Sequence, residues 1–198
     1  ASSSRLTDEA DLEKVEVVHQ RVLDFELLAD HWPAKAVPGH APRRAWPWLL
    51  LSSPSAARMV IQGLELCPDL ARLPWAALGR GTALAALERG HTVAFCAEAE
   101  DGAGFAAALV QSFGDDIPFL LPRSDQARPG LLDGLKTAGR NVQAWTAYRT
   151  TAAKVDPMPV EPNDVLLVTS PSAIRAWSSS GHEVPADVLC MGEASERA

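Results

Sequence analysis

The sequence predicts an α/β protein built from two doubly wound parallel-sheet domains, one inserted into the other through two linkers. Three observations lead there. A strand-to-helix unit occurs twice in nearly the same letters. Strand-length apolar runs alternate with helix-length segments through the middle of the chain. The second copy of the repeat has too little chain after it to finish a domain, so the N-terminal segment has to supply the rest.

The repeat is Trp48-Leu49-Leu50-Leu51-Ser52-Ser53-Pro54-Ser55-Ala56-Ala57-Arg58 against Leu166-Leu167-Val168-Thr169-Ser170-Pro171-Ser172-Ala173-Ile174-Arg175. In each, a continuous apolar run reads as a strand covered on both faces. A serine able to cap a helix follows, then a proline at the first helical position, where its missing N–H costs nothing. A second shared feature comes later in each half: Trp75-Ala76-Ala77-Leu78-Gly79-Arg80-Gly81-Thr82-Ala83, and Val188-Leu189-Cys190-Met191-Gly192-Glu193-Ala194-Ser195. Both run from a short strand through a glycine turn into a helix start.

Between the copies the pattern predicts strands at 46–51, 74–78, 91–96, 117–121 and 140–147. Helices fall at 54–66, 82–89, 102–113 and 129–138, with Gly90 and Gly139 placed to end two of them. Strand-like runs at 15–18 and 22–25 belong to the other domain. Pro-rich stretches from Trp32 to Pro47 and from Pro157 to Pro162 read as the crossings. The expected partition is an outer domain of 1–33 plus 158–198, discontinuous and incomplete in this sequence. An inserted domain spans 45–147, with linkers at 34–44 and 148–157.

Composition narrows the function classes. Hydrophobic residues make up 47% of the 198 and charged residues 22%, a globular balance. No apolar run approaches the roughly 18–20 residues that cross a bilayer, and the first residues lack the basic and apolar regions of a signal peptide, so a cytoplasmic location is expected. The net charge of −7 argues against a general nucleic-acid surface, although a cleft on an acidic protein can still be locally positive. Three scattered cysteines form no disulfide framework or Cys-x-x-Cys pair, and five scattered histidines show no metal-ligand spacing.

Taken in order, these motifs resemble the uroporphyrinogen-III synthase family. Its pattern of strand–Thr-Ser-x-x-Ala-Val, Val/Ile-Gly-x-x-Thr-Ala turn, arginine-containing loop and late tyrosine is matched by Ser52-Ser53-Pro54-Ser55-Ala56, Leu78-Gly79-Arg80-Gly81-Thr82-Ala83, Leu121-Pro122-Arg123-Ser124 and Ala147-Tyr148-Arg149-Thr150. The second half gives Thr169-Ser170-Pro171-Ser172-Ala173 and Met191-Gly192-Glu193-Ala194-Ser195. Ser4-Arg5 stands where the family has a strand ending in Thr-Arg. The resemblance covers about 23–195 and implies two flavodoxin-like domains.

It also implies a cofactor-independent, metal-free lyase that cyclises hydroxymethylbilane to uroporphyrinogen III, losing water and inverting ring D. The protein would act as a monomer downstream of hydroxymethylbilane synthase, without membrane or nucleic-acid partners. Because the substrate carries eight carboxylates, helix N-terminal amides and hydroxyls suit it. The implied binding residues are Ser53, Ser55, Gly79, Arg80, Gly81, Thr82, Arg123, Ser124, Ser170, Ser172, Gly192, Ser195 and Arg5, with Arg128 beside them. Tyr148, the only tyrosine, matches the residue favoured as acid for the departing hydroxyl.

Read from the residues alone, Ser53, Thr82, Ser170 and Ser195 also fit as plain helix caps, and Tyr148 as a packed ring. The arginines fit as solvated surface. Two other functions remain open. One is a flavin or nucleotide binder, for which Gly79-Arg80-Gly81-Thr82 is too short a fingerprint. The other is a non-catalytic homologue that binds a small anion or a tetrapyrrole.

Overall fold

Leu49, Leu50 and Leu51 have no exposed surface because their strand, β2 (Trp48–Leu51), lies inside a six-stranded sheet and is covered on both faces. In the computed structural model, which describes residues 16–37, 42–190 and 196–197, side chains leave β2 alternately to two cores. Leu49 and Leu51 enter one, and Leu50 the other. Each fully buried leucine contributes about 1.5–3 kcal/mol of transfer free energy.

The remaining strands of this sheet are β1 (Leu23–Leu27), β3 (Trp75–Leu78), β4 (Phe95–Ala97), β5 (Phe119–Ser124) and β6 (Val142–Ala152), in the order β1-β6-β5-β2-β3-β4. The pairs β2/β3, β2/β5, β3/β4 and β5/β6 are parallel. β1 runs against β6: Leu28 N–H donates to Ala147 C=O, and Ala153 N–H to Val22 C=O. Numbered from β2, the five parallel strands lie 3-2-1-4-5, which corrects the 2-1-3-4-5 order that flavodoxin-like implies. The general result is a mixed α/β fold with a mostly parallel central sheet.

Helices α1 (Pro54–Gly63) and α2 (Gly79–Leu87) pack together on one face, and α3 (Gly102–Ser112) and α4 (Gly130–Thr137) on the other. Ser53 Oγ accepts from Ala56 N–H at 3.0 Å and Asp101 Oδ1 from Gly104 N–H at 2.8 Å, so α1 and α3 start on side-chain caps. Gly139, at φ +71°, ends α4 as its place in the sequence predicts. It lets Arg140 N–H return to Leu135 C=O. The Arg140 side chain, almost wholly buried, then closes the end of α3. It donates to Val110 C=O at 2.7 Å and Phe113 C=O at 2.9 Å, and pairs with the exposed Asp115 at 3.0 Å.

Several element boundaries differ from the sequence reading. α2 begins at Gly79, not at 82, so the glycine turn is the helix's own first turn. The strand expected at 91–96 is confined to Phe95–Ala97, since His91 stays with the end of α2, bonding Ala86 C=O and stacking on Trp75 at 4.8 Å. β6 runs to Ala152, beyond 147 and into the expected linker, because β1 offers its far end a partner. No strand forms at 16–18; residue 15 lies outside the described residues.

Chain contacts define two compact units: 25–150, and 1–24 with 151–198. In the second, β7 (Val165–Val168), α5 (Pro171–Ser179) and β8 (Asp187–Cys190) form a parallel β-α-β unit with Val165 opposite Asp187. Ser170 Oγ caps α5 from Ala173 N–H at 3.2 Å. No helix among the described residues is long and apolar enough to cross a membrane.

Candidate functional site

Because β2, β3, β5 and β6 are parallel, the segments that follow Leu51, Leu78 and Arg123 emerge at one end of the sheet. The chain leaves β2 for α1 on one face and β5 for α4 on the other, so neighbouring β2 and β5 form the switch point where open α/β sheets leave a crevice. Ser53 rises from one side of it and Ser124 from the other.

Tyr148 reaches this end through an irregularity in β6. Pro122 pairs with Trp145 and Arg123 with Thr146, but Ser124 pairs with Tyr148, so Ala147 is an extra residue. Up to that point the strand alternates, with Val142 and Ala144 against the α3/α4 core and Trp145 against the α1/α2 core. The bulge breaks the alternation and turns Ala147 and Tyr148 to the α1/α2 core together. The bulge is held from outside. Ala147 C=O accepts both Leu28 N–H at 3.0 Å and Trp32 Nε1–H at 2.9 Å.

So directed, the Tyr148 phenol becomes a hydrogen-bond partner of the Ser53 hydroxyl, and its ring meets Phe25 edge-on at 6.1 Å. The residue is 4% exposed. Burial pushes the phenol up to about 12; the Ser53 hydrogen bond opposes the rise and the Asp125 charge adds to it. It is therefore fully protonated at neutral pH. Ser53 is half-buried, standing between this phenol and the N–H of Ala56.

The other expected residues are spread over several helix and strand ends. Gly79, Arg80, Gly81 and Thr82 form the first turn of α2, where Gly79 takes φ +75° and a Cβ on Gly81 would touch Pro54 at 4.0 Å. The two helix starts are thus neighbours. Thr82 is not a cap: it is 2% exposed inside α2, and Leu78 holds the cap position without a side-chain bond. Arg80 pairs with Glu98 at 3.4 Å in solvent. Ser55 lies on the first turn of α1.

Arg123 and Ser124 end β5. The Arg123 guanidinium donates to Ala127 C=O at 3.1 Å and Arg128 C=O at 3.2 Å, bracing its own loop. Beside it a cleft of about 420 Å³ is lined by Arg123, Ser124, Lys136 and Trp145, among others, but not by Ser53 or Tyr148. Ser170 and Ser172 start α5 in the other unit, where an open hollow of about 840 Å³ touches Ser180 but neither of these serines. Arg5, Gly192 and Ser195 lie outside the described residues. No group of three or more His, Cys, Asp or Glu side chains among the described residues could hold a metal ion.

With this geometry in place, likeness to known proteins decides the family. The family model described as Uroporphyrinogen-III synthase HemD matches residues 13–196. The chain belongs to the uroporphyrinogen-III synthase family. It is 27% identical to the chloroplastic uroporphyrinogen-III synthase of Oryza sativa subsp. japonica over 164 residues, 76% of this chain and 54% of the rice protein. The chain thus spans about half the length of that curated relative. Its fold is similar to the crystal structure of uroporphyrinogen-III synthetase from Helicobacter pylori 26695, with a TM-score of 0.60 at 15% identity over 88% of this chain and 77% of that one. A mutant uroporphyrinogen III synthase from the extremely thermophilic bacterium Thermus thermophilus aligns at 15% identity with a TM-score of 0.48, covering 88% and 75%.

Sequence reasoning passed over Asp125, Gln126 and the role of Thr150. Asp125 Oδ1 accepts from Thr150 N–H at 3.0 Å and from Ser124 Oγ at 3.0 Å, and Gln126 Nε2 donates to Thr150 C=O at 2.8 Å. A polar triplet after an apolar strand is the only signal in the letters. The pairing with β6 depends on the bulge, which has no signature in the sequence.

Proposed function

We propose that this member of the uroporphyrinogen-III synthase family closes hydroxymethylbilane into uroporphyrinogen III, with loss of water and inversion of ring D. The observation that carries the reading is the buried Tyr148 phenol beside Ser53 at the switch point of the sheet. In the proposed chemistry the phenol gives its proton to the ring A hydroxyl as the C–O bond breaks. The ring nitrogen lone pair drives water out and leaves an azafulvene cation. Ring D attacks through its substituted carbon, and the spiro intermediate opens and recloses inverted. The proton lost as the last ring regains aromaticity returns to the phenolate.

Holding a flexible tetrapyrrole curled is an effective-molarity problem, so orientation carries most of the rate. Carboxylates of the substrate would meet the helix starts at Ser53, Ser55 and Gly79–Thr82, with Arg80, Arg123 and Ser124 adding donors. Ser170 and Ser172 offer the same local device in the other unit, with Gly192, Ser195 and Arg5 as further candidates. A phenol held near 12 gives little driving force to proton transfer, so its share lies at the low end of the ~10²–10⁴-fold usual for general acids. The reading includes an inserted domain at 45–147 within an outer one of 1–33 and 158–198, a cytoplasmic monomer, and supply of substrate by hydroxymethylbilane synthase.

The test is incubation with enzymatically generated hydroxymethylbilane, followed by oxidation and separation of the I and III isomers. Predominant III isomer, formed faster than spontaneous cyclisation, is expected. Only the I isomer at the uncatalysed rate would defeat the proposal and leave a tetrapyrrole-binding homologue.

A further inference from the structure

The ends of β5 and β6 are tied by a compact set of hydrogen bonds that neither strand needs for its own ladder. Ser124 has one hydroxyl proton and gives it to Asp125 Oδ1 at 3.0 Å. At its 3.0 Å contact with Thr150 Oγ1, Ser124 Oγ is therefore the acceptor and Thr150 the donor. Ser124 Oγ also takes Gln126 N–H at 3.1 Å. Asp125 N–H donates to Tyr148 C=O at 3.0 Å, while its carboxylate receives Thr150 N–H at 3.0 Å. Gln126 completes the set on Thr150 C=O.

The consequence falls on one residue. Ala147 C=O is fixed from one side by Leu28 and Trp32, and Tyr148 C=O and Thr150 N–H from the other by Asp125. The bulge that turns Tyr148 toward Ser53 is thus pinned at both its ends.

Charged groups on the surrounding elements are Asp24 and Glu26 on β1, Arg58 on α1, Arg123 and Asp125 at the end of β5, and Arg149 on β6. Arg149 pairs with Glu26 at 3.7 Å and Arg123 with loop carbonyls, whereas the Asp125 charge bears on the phenol.

We propose that Asp125 is the positioning residue for Tyr148, its backbone and carboxylate together holding the bulged end of β6 so that the phenol faces Ser53. This rests on the reading of Tyr148 as the acid, but its own readout does not. Tyr148 is the only tyrosine, so the ultraviolet phenolate band reports this one group, and a rapid pH jump reads it before the chain can unfold.

The variants are Asp125→Asn, which keeps an acceptor for Thr150 and Ser124 but removes the charge, and Asp125→Ala, which removes both. Asp125→Asn should lower the Tyr148 midpoint only slightly, since burial outweighs the Asp125 charge, and keep most of the III-isomer turnover. Asp125→Ala should shift the midpoint too, and lower kcat about ten- to a hundredfold at near-constant KM, as expected of a misplaced group. Wild-type titration in both variants overturns the inference, whatever happens to activity. If Asp125→Ala does not fold, Asp125→Glu, which keeps the charge but moves the carboxylate off Thr150 N–H, decides in its place: a wild-type midpoint and wild-type turnover there overturn the inference. A shifted midpoint with III formation undiminished supports the positioning role and overturns instead the assignment of Tyr148 as acid.

Discussion

Ser53 and Ser170 stand at φ −165°, ψ 163° and φ −160°, ψ 154°, and each accepts a hydrogen bond from the amide three residues ahead, at 3.0 and 3.2 Å. Each is followed by proline at the first helical position. The two copies of the repeat therefore fold into one device: a strand that ends, a serine in extended conformation, and a helix whose first free amides are satisfied by that serine. What differs is the environment. In the 25–150 unit the hydroxyl also meets Tyr148, whereas Ser170 has Ser172 Oγ at 3.4 Å.

Ser170→Ala should cost about 1 kcal/mol through loss of the cap alone. Ser53→Ala should cost a similar amount and additionally leave the Tyr148 phenol without its partner. Denaturant unfolding followed by fluorescence would measure both. Equal stabilities for Ser53→Ala and wild type would show that its cap carries no weight.

Tyr148→Phe should lower III-isomer turnover by about 10²-fold while KM changes little, because only a transition-state interaction is removed. Spontaneous I isomer should accumulate in proportion. A stable Tyr148→Phe protein that forms III at the wild-type rate would leave the ring a packing role against Phe25.

The raised phenol also links stability to alkaline pH. Folded Tyr148 holds its proton up to about 12, the unfolded chain only to the ordinary 10.0, so this stabilisation is complete below 10 and is lost as pH rises toward 12. The linkage amounts to about 2–3 kcal/mol. Cys67, raised from 9.0 chiefly by burial, adds a loss of the same sign above 9. Unfolding curves at successive pH values should therefore be shallower in Tyr148→Phe above pH 10, and identical slopes would contradict the buried phenol.

Gly63 admits the Trp32 ring so closely that a Cβ there would lie 1.9 Å from the ring. Trp32 is itself held by Ala147 C=O, which leaves it little room to retreat. Gly63→Ala should cost about 1–3 kcal/mol by overpacking. It should also disturb the bulge, so its tyrosine titration should move although residue 63 is remote from the phenol in sequence. Unchanged stability would mean that Trp32 yields freely.

Arg140 and Asp115 separate a buried partner from an exposed one. Arg140→Met removes charge-assisted bonds to Val110 and Phe113 worth about 1.5–3 kcal/mol each before relaxation, so a loss of several kcal/mol is expected. Asp115→Ala removes only a carboxylate that is 96% exposed, and should cost about 0–1 kcal/mol. Comparable losses from the two would reverse the assignment of the helix-closing role to the carbonyl bonds.

By itself the sequence determined the class of the fold and its repeated device. Leu49-Leu50-Leu51 has no alternation, and it folds as the strand covered on both faces that such a run suggests, whereas the like run in β7 stays largely exposed. Ser-Pro-Ser-Ala after it had to start a helix, since capping and proline geometry act within a few residues of chain. Gly139 marked the end of α4 for the same local reason. The family, too, was legible, because the ordered motifs survive where each alone is weak.

Strand order was settled only by packing. Nothing local distinguishes 3-2-1-4-5 from 2-1-3-4-5, since each crossover obeys the same short-range rules. The extension of β6 to Ala152 and its pairing with β1 came from an edge that only the assembled sheet presents. Above all, the place of Tyr148 was decided by one extra residue, Ala147, held by Leu28 and Trp32, with Asp125 holding the backbone just after it. A bulge changes which face a side chain takes without changing any propensity in the letters around it. The contact of the phenol with Ser53 is therefore a property of the tertiary structure, formed where the end of β2 meets the bulge of β6.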